Sequence, residues 1–492
     1  MFFLFFFINF NYTILRDTKD ALIVTAPGSG AEAIPFLKVW GVLPLAIVFM
    51  LVYAKLSNIL SKTKLFYVTI TAFISFFAIF ALILYPFKDV LHPTAAADAL
   101  SAYLPQGLSG FVALFRNWTY ALFYIMSELW GSVAISLLFW GFANDITKVS
   151  ESKRFYAMFG LGANLAMLVS GPTIVYFSNI RSTLAAGVDA WGVSLNYMIS
   201  MVVLSGLAIM AIYWWINKNV LTDTKFFDAT EVKKPKKEKT KMSIKESFLF
   251  LARSKYMGCL AILVIGYGIA INLVEVTWKG QLKLQYPNPN DYSAFMGMFS
   301  TITGVITILM MLFVGGNVIR RWGWTVAALI TPVVLLATGA GFFGFVIFRD
   351  SLAGFISMLG TTPLMLAVVF GTAQNIMSKS AKYSLFDPTK EMAYIPLDQE
   401  SKVKGKAAID VVGARFGKSG GSLVQQGLIL ACGSLAAITP YIAVILFGII
   451  FAWIFASKSL GKRFTQLNAE KEEAKKAEIA SKPEQNLQGA TS

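Results

Sequence analysis

One histidine and two cysteines in 492 residues leave little room for metal or disulfide chemistry. His92 stands beside Pro93, and Cys259 and Cys432 lie far apart in apolar runs, so neither a His/Cys zinc site nor a disulfide framework organises the chain. Charge is scarce as well. Only 14% of the residues are charged, where soluble domains carry about 25%. With 56% hydrophobic residues, that balance excludes a soluble globular protein.

Long apolar runs take the place of what is missing. Stretches of about 20 apolar residues are membrane-helix signals. They predict an all-α integral membrane protein with twelve transmembrane helices in two six-helix halves, a major-facilitator-like pattern. The first six spans fall near 1–25, 35–57, 64–86, 111–143, 154–178 and 195–218. The second six fall near 255–279, 292–315, 323–348, 361–380, 406–432 and 436–458. The chain then divides into an N-terminal bundle (1–218), a basic cytoplasmic linker (219–254), a C-terminal bundle (255–460) and a polar cytoplasmic tail (461–492). Glu151-Ser152-Lys153 with Gly162-Ala163 is mirrored by Glu400-Ser401-Lys402 with Gly413-Ala414, a weak repeat between the halves.

The formal net charge of +16 has a membrane explanation rather than a nucleic-acid one. Lys and Arg gather in alternate loops, which by the positive-inside rule puts both termini and the linker in the cytoplasm. The opening "MFFLFFFINF" has no basic start or small-residue cleavage site, so it reads as the front of the first span, shortened, with no transit sequence visible.

Against that apolar background, ionisable residues inside spans are the informative ones, since each costs about 2.5–3.5 kcal/mol at the bilayer centre on insertion scales. In the first span Arg16, Lys19 and Asp20 share a helix face at i, i+3 and i+4. A cluster at the water interface with snorkelling side chains is the plain alternative. The fourth span carries Arg116, Tyr120, Tyr124 and Glu128 as one stripe, with Glu128 at mid-span. The seventh aligns Asn272, Glu275 and Lys279, which would also suit a structural network. The eleventh, "AAIDVVGARFGKSGGSLVQQGLIL", sets Arg415 and Lys418 among glycines. Small residues there serve packing in many membrane helices, but two cations suit an anionic ligand that the backbone approaches closely. "GARFGKS" is not a nucleotide-binding P-loop, because Gly413 and Gly417 enclose three residues where that motif needs four.

Lys19 and Lys418, with Glu128 and Glu275, come from four spans, two in each half. That distribution suits a central site between rocking bundles.

The stretch "NYTILRDTKDALIVTAPGSGAEAIPFLKVWGVLP" closely resembles the start of the bacterial and plastid nucleotide transporter family, the ATP/ADP translocases of obligate intracellular bacteria and plastids. "FYIMSELWGSVAISLLFWGFAND", "NLVEVTWKGQLK" and "GARFGKSGG" continue the likeness across nearly the whole chain. The resemblance implies a nucleotide antiporter, not an enzyme, exchanging external ATP for internal ADP, with phosphate as a companion substrate and no cofactor. A proton-coupled net importer of the same family is the alternative. It implies a multi-pass protein of the inner membrane of an intracellular bacterium, or else of the plastid inner envelope.

The lysines of "RDTKD" and "GKSGG" and the glutamates of "SELWGS" and "NLVEVTWK" are functional positions in that family. They correspond to Lys19, Lys418, Glu128 and Glu275, the residues the membrane charges select. The expected site has Lys19 and Lys418 on the phosphates, helped by Arg16 and Arg415. Glu128, Glu275 and Asp20 act as charge partners, and Tyr120, Tyr124, Asn164, Asn272 and Gln374 surround the base. The expected partners are the nucleotides and the bilayer, with no nucleic acid, for a monomeric carrier.

Overall fold

The structure, a computed structural model, describes residues 1–147, 151–222, 246, 249, 251, 254–413 and 417–488, and among them there is no strand. The side chains of 152–154, 157, 399, 400, 403, 410–412, 418 and 474–488 also lie outside the description. The long helices are α1 Phe2–Val24, α2 Ala33–Ile59, α3 Lys62–Leu84, α4 Trp118–Ile146, α5 Ser152–Ser178 and α6 Ala190–Val220. After the linker come α7 Lys255–Gln285, α8 Pro289–Leu309, α9 Gly316–Ile347, α10 Pro363–Ala381, α11 Gln399–Val412, α12 Lys418–Cys432 and α13 Leu435–Gln488.

Among the described residues, eight helical runs are long and apolar enough to cross a membrane. One of them, Pro289–Ile347, holds 59 residues. At 1.5 Å per residue that is nearly three times the roughly 30 Å of a bilayer core, so it cannot be one straight crossing. It contains α8 and α9, and Gly323, at φ +78°, breaks the path with a left-handed residue. Absent from the eight are α1, α10, α11 and α12. Polar side chains of α1, α10 and α12, among them Lys19, Gln374 and Gln425, are buried, so that polarity faces protein rather than lipid.

Burial separates the same two groups. Between Leu43 and Ile59, α2 buries no residue, and Met50 and Leu51 are among its exposed apolar side chains. By contrast α1 is buried along nearly its whole length, with Ile8, Ile14, Leu15 and Ile23 fully enclosed, and it packs on α4, α5 and α6. Close helix contacts run through glycine. A Cβ on Gly171 of α5 would collide with Thr301 Oγ1 on α8, and one on Gly268 of α7 would stand 2.6 Å from the Cα of Gly417.

One boundary differs from the sequence expectation. The fourth span begins at Trp118, not 111, because Asn117 (φ −111°, ψ 44°) ends a separate short helix, Ser109–Arg116. The Asn117 amide donates to Ala113 O and to Pro27 O at 3.1 Å each, which fixes the break. Arg116 therefore leaves the stripe it was expected to share with Glu128 and binds Asp98 in the preceding loop instead. Between the third and fourth spans, residues 87–110 hold the short helices Lys88–Leu91 and Thr94–Tyr103.

Candidate functional site

The charged turn of α1 sits in the middle of the molecule. Lys19 Nζ lies 2.8 Å from Asp20 Oδ1 and 3.0 Å from Glu128 Oε1 of α4. Lys279 Nζ of α7 lies 2.7 Å from the other Asp20 oxygen and 3.0 Å from Glu275 Oε1, one turn away on the same helix. Asp20 is thus the shared centre of a chain of five charges, Glu128–Lys19–Asp20–Lys279–Glu275, joining α4, α1 and α7.

The middle members are sealed, with Lys19 4%, Asp20 1% and Lys279 2% exposed, while Glu128 at the end is 34% exposed. Burying an ion costs several kcal/mol unless close partners replace its water. Here each lysine meets two carboxylates, and Lys19 also stands 3.9 Å over the ring of Tyr124.

Beside this chain, Arg16 pairs with Asp17 at 2.9 Å and donates to Ser300 Oγ of α8 at 2.6 Å, while Ser300 donates to Asp17. Lys38, in the π-helical turn Leu37–Val42, donates to Asn272 Oδ1 of α7 at 2.8 Å. Three separate polar links therefore tie helices that precede the basic linker to helices that follow it.

A cavity of about 570 Å³ adjoins the exposed end of the ion chain. It extends from Arg16 and Glu128, at the middle of α1 and α4, past Asn164 and Thr303 to Tyr156 and Lys382 near the ends of α5 and α10. That volume is in the range of small-molecule sites. Two local features shape its wall. Gly131 admits Tyr12, since a Cβ there would stand 2.7 Å from the tyrosine ring, and α4 is π-helical from Gly131 to Phe139, which widens it below Glu128.

The opposite end is shut. Lys283 donates to Ser29 O, a Cβ on Gly107 would stand 2.7 Å from Leu430 O, and Asn290 donates to Ser194 Oγ at 2.7 Å. Each contact crosses between the same two parts of the chain. A buried, fully paired ion chain between a closed end and an open polar cavity is the arrangement of a carrier caught with access from one side.

Residues 1–464 match the family described as TLC ATP/ADP transporter. The chain belongs to that family. It is 64% identical to ADP,ATP carrier protein 1 of Chlamydia muridarum over 96% of this chain and 89% of that protein. It is 57% identical to the chloroplastic ADP,ATP carrier protein 1 of Arabidopsis thaliana, over 97% of this chain and 75% of the relative. ADP,ATP carrier protein 1 of Rickettsia bellii is 45% identical, over 96% and 94%.

Among solved structures, an inward-facing bacterial homologue of the iron transporter ferroportin aligns with TM-score 0.55 at 10% identity, covering 94% of this chain and 98% of that one. At that identity the likeness shows the fold alone. The family is one of carriers, a non-enzyme role, and this TLC transporter is a multi-pass membrane protein of bacterial type.

In this TLC transporter, Lys19, Asp20, Glu128 and Glu275 stand together in the ion chain, with Tyr124 under Lys19. Arg16 and Asn164 line the cavity, where the Asn164 amide donates to Gly160 O at 2.9 Å. Asn272 holds Lys38. Tyr120 does not line the cavity: it lies in an aromatic cluster toward the closed end, 6.0 Å from the ring of Tyr85 and 4.9 Å from that of His92. Gln374 does not line it either, since it is buried against α9, its Nε2 3.3 Å from where a Cβ on Gly339 would stand.

Arg415 and the side chain of Lys418 lie outside the described residues. The glycines around them do show a packing role, because Gly413, Gly417 and Gly421 sit against Val264, Gly268 and Asn272 of α7. Sequence reasoning passed over Lys38 and Lys379 and gave Lys279 only a structural part. The i+4 spacing from Glu275 to Lys279 was the one usable signal.

Proposed function

We propose that this TLC transporter exchanges ATP for ADP across the inner membrane of an intracellular bacterium by alternating access. In this reading twelve spans form two six-helix halves, and the basic loops, both termini and the open cavity face the cytoplasm. The observation that carries it is the five-charge chain contributed by both parts of the chain and sealed at its centre.

A phosphate chain offers Lys19 and Lys279 the anionic oxygens that Glu128, Asp20 and Glu275 supply in the empty carrier, so binding substrate exchanges partners without stranding a charge. Leaving without a replacement re-forms the chain and closes the site. Exchange is thereby favoured over net flow.

Lys418 and Arg415 act on the phosphates from the second half, and Arg16 from the first. The base lies along the cavity wall near Asn164, with Tyr124 and Asn272 at its inner limit and Tyr120 and Gln374 supporting the helices behind. ATP and ADP differ by about one charge near neutral pH, which co-transported inorganic phosphate would balance. The carrier works as a monomer, without a cofactor and without nucleic acid.

The test is uptake of labelled ATP into liposomes holding the purified protein, loaded with ADP, with another nucleotide, or with nothing. Uptake that requires internal ADP and disappears in Lys19→Ala is the expected result. Equal filling of empty liposomes, strengthened by an inward proton gradient, would overturn exchange in favour of a proton-coupled net importer.

A further inference from the structure

The cations that face the cavity are not the cations of the ion chain. Lys19 and Lys279 each touch two carboxylates and are closed off from the cavity. The cavity wall carries Arg16, Lys379 and Lys382. Arg16 is held by Asp17, and Lys382 by Asp387 at 3.1 Å.

Lys379, on α10, has neither arrangement. Its ammonium stands 4.8 Å from the ring centroid of Phe299, and among the described residues no carboxylate lies within ion-pair distance. Among the described residues, the central cations Arg16, Lys19, Lys38, Lys279 and Lys379 are matched by the carboxylates Asp17, Asp20, Glu128 and Glu275. Lys38 is off the cavity wall and satisfied by Asn272. The surplus positive charge therefore resides on Lys379, where an aromatic face replaces only part of the lost hydration.

We infer that Lys379 is a substrate contact: with Arg16, which lines the same cavity, it forms a subsite for a phosphate-class anion on the open side of Lys19. The occupant is the terminal phosphate of the nucleotide or a free inorganic phosphate, since both present the same dianionic group. The inference rests on the nucleotide reading above and adds to it a specificity determinant. In the present state Lys379, Arg16 and Lys382 are the cations on the cavity wall, with Lys379 and Arg16 on the side of Glu128 and Lys382 toward the mouth, so an incoming phosphate meets Lys379 and Arg16 before it can displace Glu128 from Lys19. A nucleotide too short to span from this subsite to the ion chain forfeits one of the two.

The test is calorimetric binding of ATP, ADP, AMP and inorganic phosphate, each alone, to the full chain in nanodiscs, for the parent, Lys379→Gln and Lys379→Arg. Loss of one charge-assisted contact is worth about tenfold in affinity. Lys379→Gln is expected to weaken ATP by that factor and AMP by less than twofold, with Lys379→Arg close to the parent. If the weakening falls on ATP with inorganic phosphate unaffected, the occupant is the nucleotide's own phosphate. If it falls on inorganic phosphate, the occupant is the free ion.

Because Lys379→Gln removes a charge without a counter-ion, the ligand-free protein should melt no lower than the parent. A lower melting temperature with unchanged nucleotide affinities would mark Lys379 as structural and overturn the subsite. A parent that binds AMP as tightly as ATP, or no nucleotide at all, would overturn the nucleotide reading itself. A parent that prefers ATP, with a variant that binds all four like it, would overturn only the subsite.

Discussion

The two ends of this helical bundle are built from different materials. The closed end is joined by small residues, hydrogen bonds and one exposed ion pair: Gly107 against Leu430, Asn290 donating to Ser194, Lys283 donating to the Ser29 carbonyl, and Arg181 beside Asp291 at 3.3 Å. The open end is an aromatic and cationic cavity, with Tyr12, Trp140 and Tyr156 beside Arg16 and Lys379. Between them stands the ion chain, whose partners come from both sides of the basic linker.

The contrast separates two tasks. Hydrogen bonds and exposed ion pairs worth about a kcal/mol or less each can be made and broken reversibly, so they suit a gate. A buried ion chain is all-or-none, because removing one partner strands another, so it suits a condition on the gate.

The largest break in that comparison is at the ion chain. Lys19→Ala leaves Asp20 with Lys279 alone and strips Glu128 of its ion-pair partner. Breaking a buried pair costs about 3–5 kcal/mol, and exchange should fall at least a hundredfold in the counterflow assay. The double variant Lys19→Met with Glu128→Gln, which removes both charges, should recover most of the melting temperature but none of the exchange. Recovery of exchange would show that the pair is structural only.

Glu275→Gln is the next step down, because Lys279 keeps Asp20 at 2.7 Å. Exchange should fall about tenfold while the ratio of uptake into empty over ADP-loaded liposomes rises. An unchanged ratio would mean that the end of the ion chain does not control coupling.

A smaller effect is expected at the closed end. Gly107→Val places a Cβ 2.7 Å from Leu430 O and 2.8 Å from its Cα, backbone that cannot give way. The contact must part, which disfavours the state with the cavity open at the other end. A cysteine introduced at Ser132, on the cavity wall, should then react several-fold more slowly with a thiol reagent supplied from the cavity side, in a chain whose Cys259 and Cys432 are replaced by alanine. Faster labelling would reverse the assignment of which contacts form the seal.

How much of this was legible in the sequence follows from how each residue is surrounded along the chain. Lys19, Glu128 and Glu275 stand out because apolar neighbours on both sides make an ionisable residue conspicuous, and they do meet in space. Lys38 follows "AEAIPF", which reads as the edge of a span, where a lysine is expected to snorkel. In the structure the helical path already starts at Ala33, and the π-helical turn Leu37–Val42 turns Lys38 onto Asn272.

Lys379 stands in the last turn of the expected tenth span, where a lysine reads as snorkelling to the interface, but in the structure it lines the cavity wall. The glycines of "GARFGKSGG" suggested backbone approach to an anion, and three of them are occupied by α7. Each miss has the same origin: sequence shows which charges are in spans, while tertiary packing decides which of them find a partner.

The smallest expected effect tests whether the closed end is a gate of independent weak contacts or one cooperative unit. Lys283→Ala removes the donor to Ser29 O and leaves the Gly107–Leu430 contact intact. If the contacts act separately, labelling of the Ser132→Cys reporter should slow by about twofold, the share of one modest hydrogen bond, and combining Lys283→Ala with Gly107→Val should multiply the two effects. If the combination slows labelling no more than Gly107→Val alone, then the valine has already opened the whole surface. The closed end would then behave as a single packed unit, and its opening would be a rigid-body parting of the two sides rather than a sequence of separate releases.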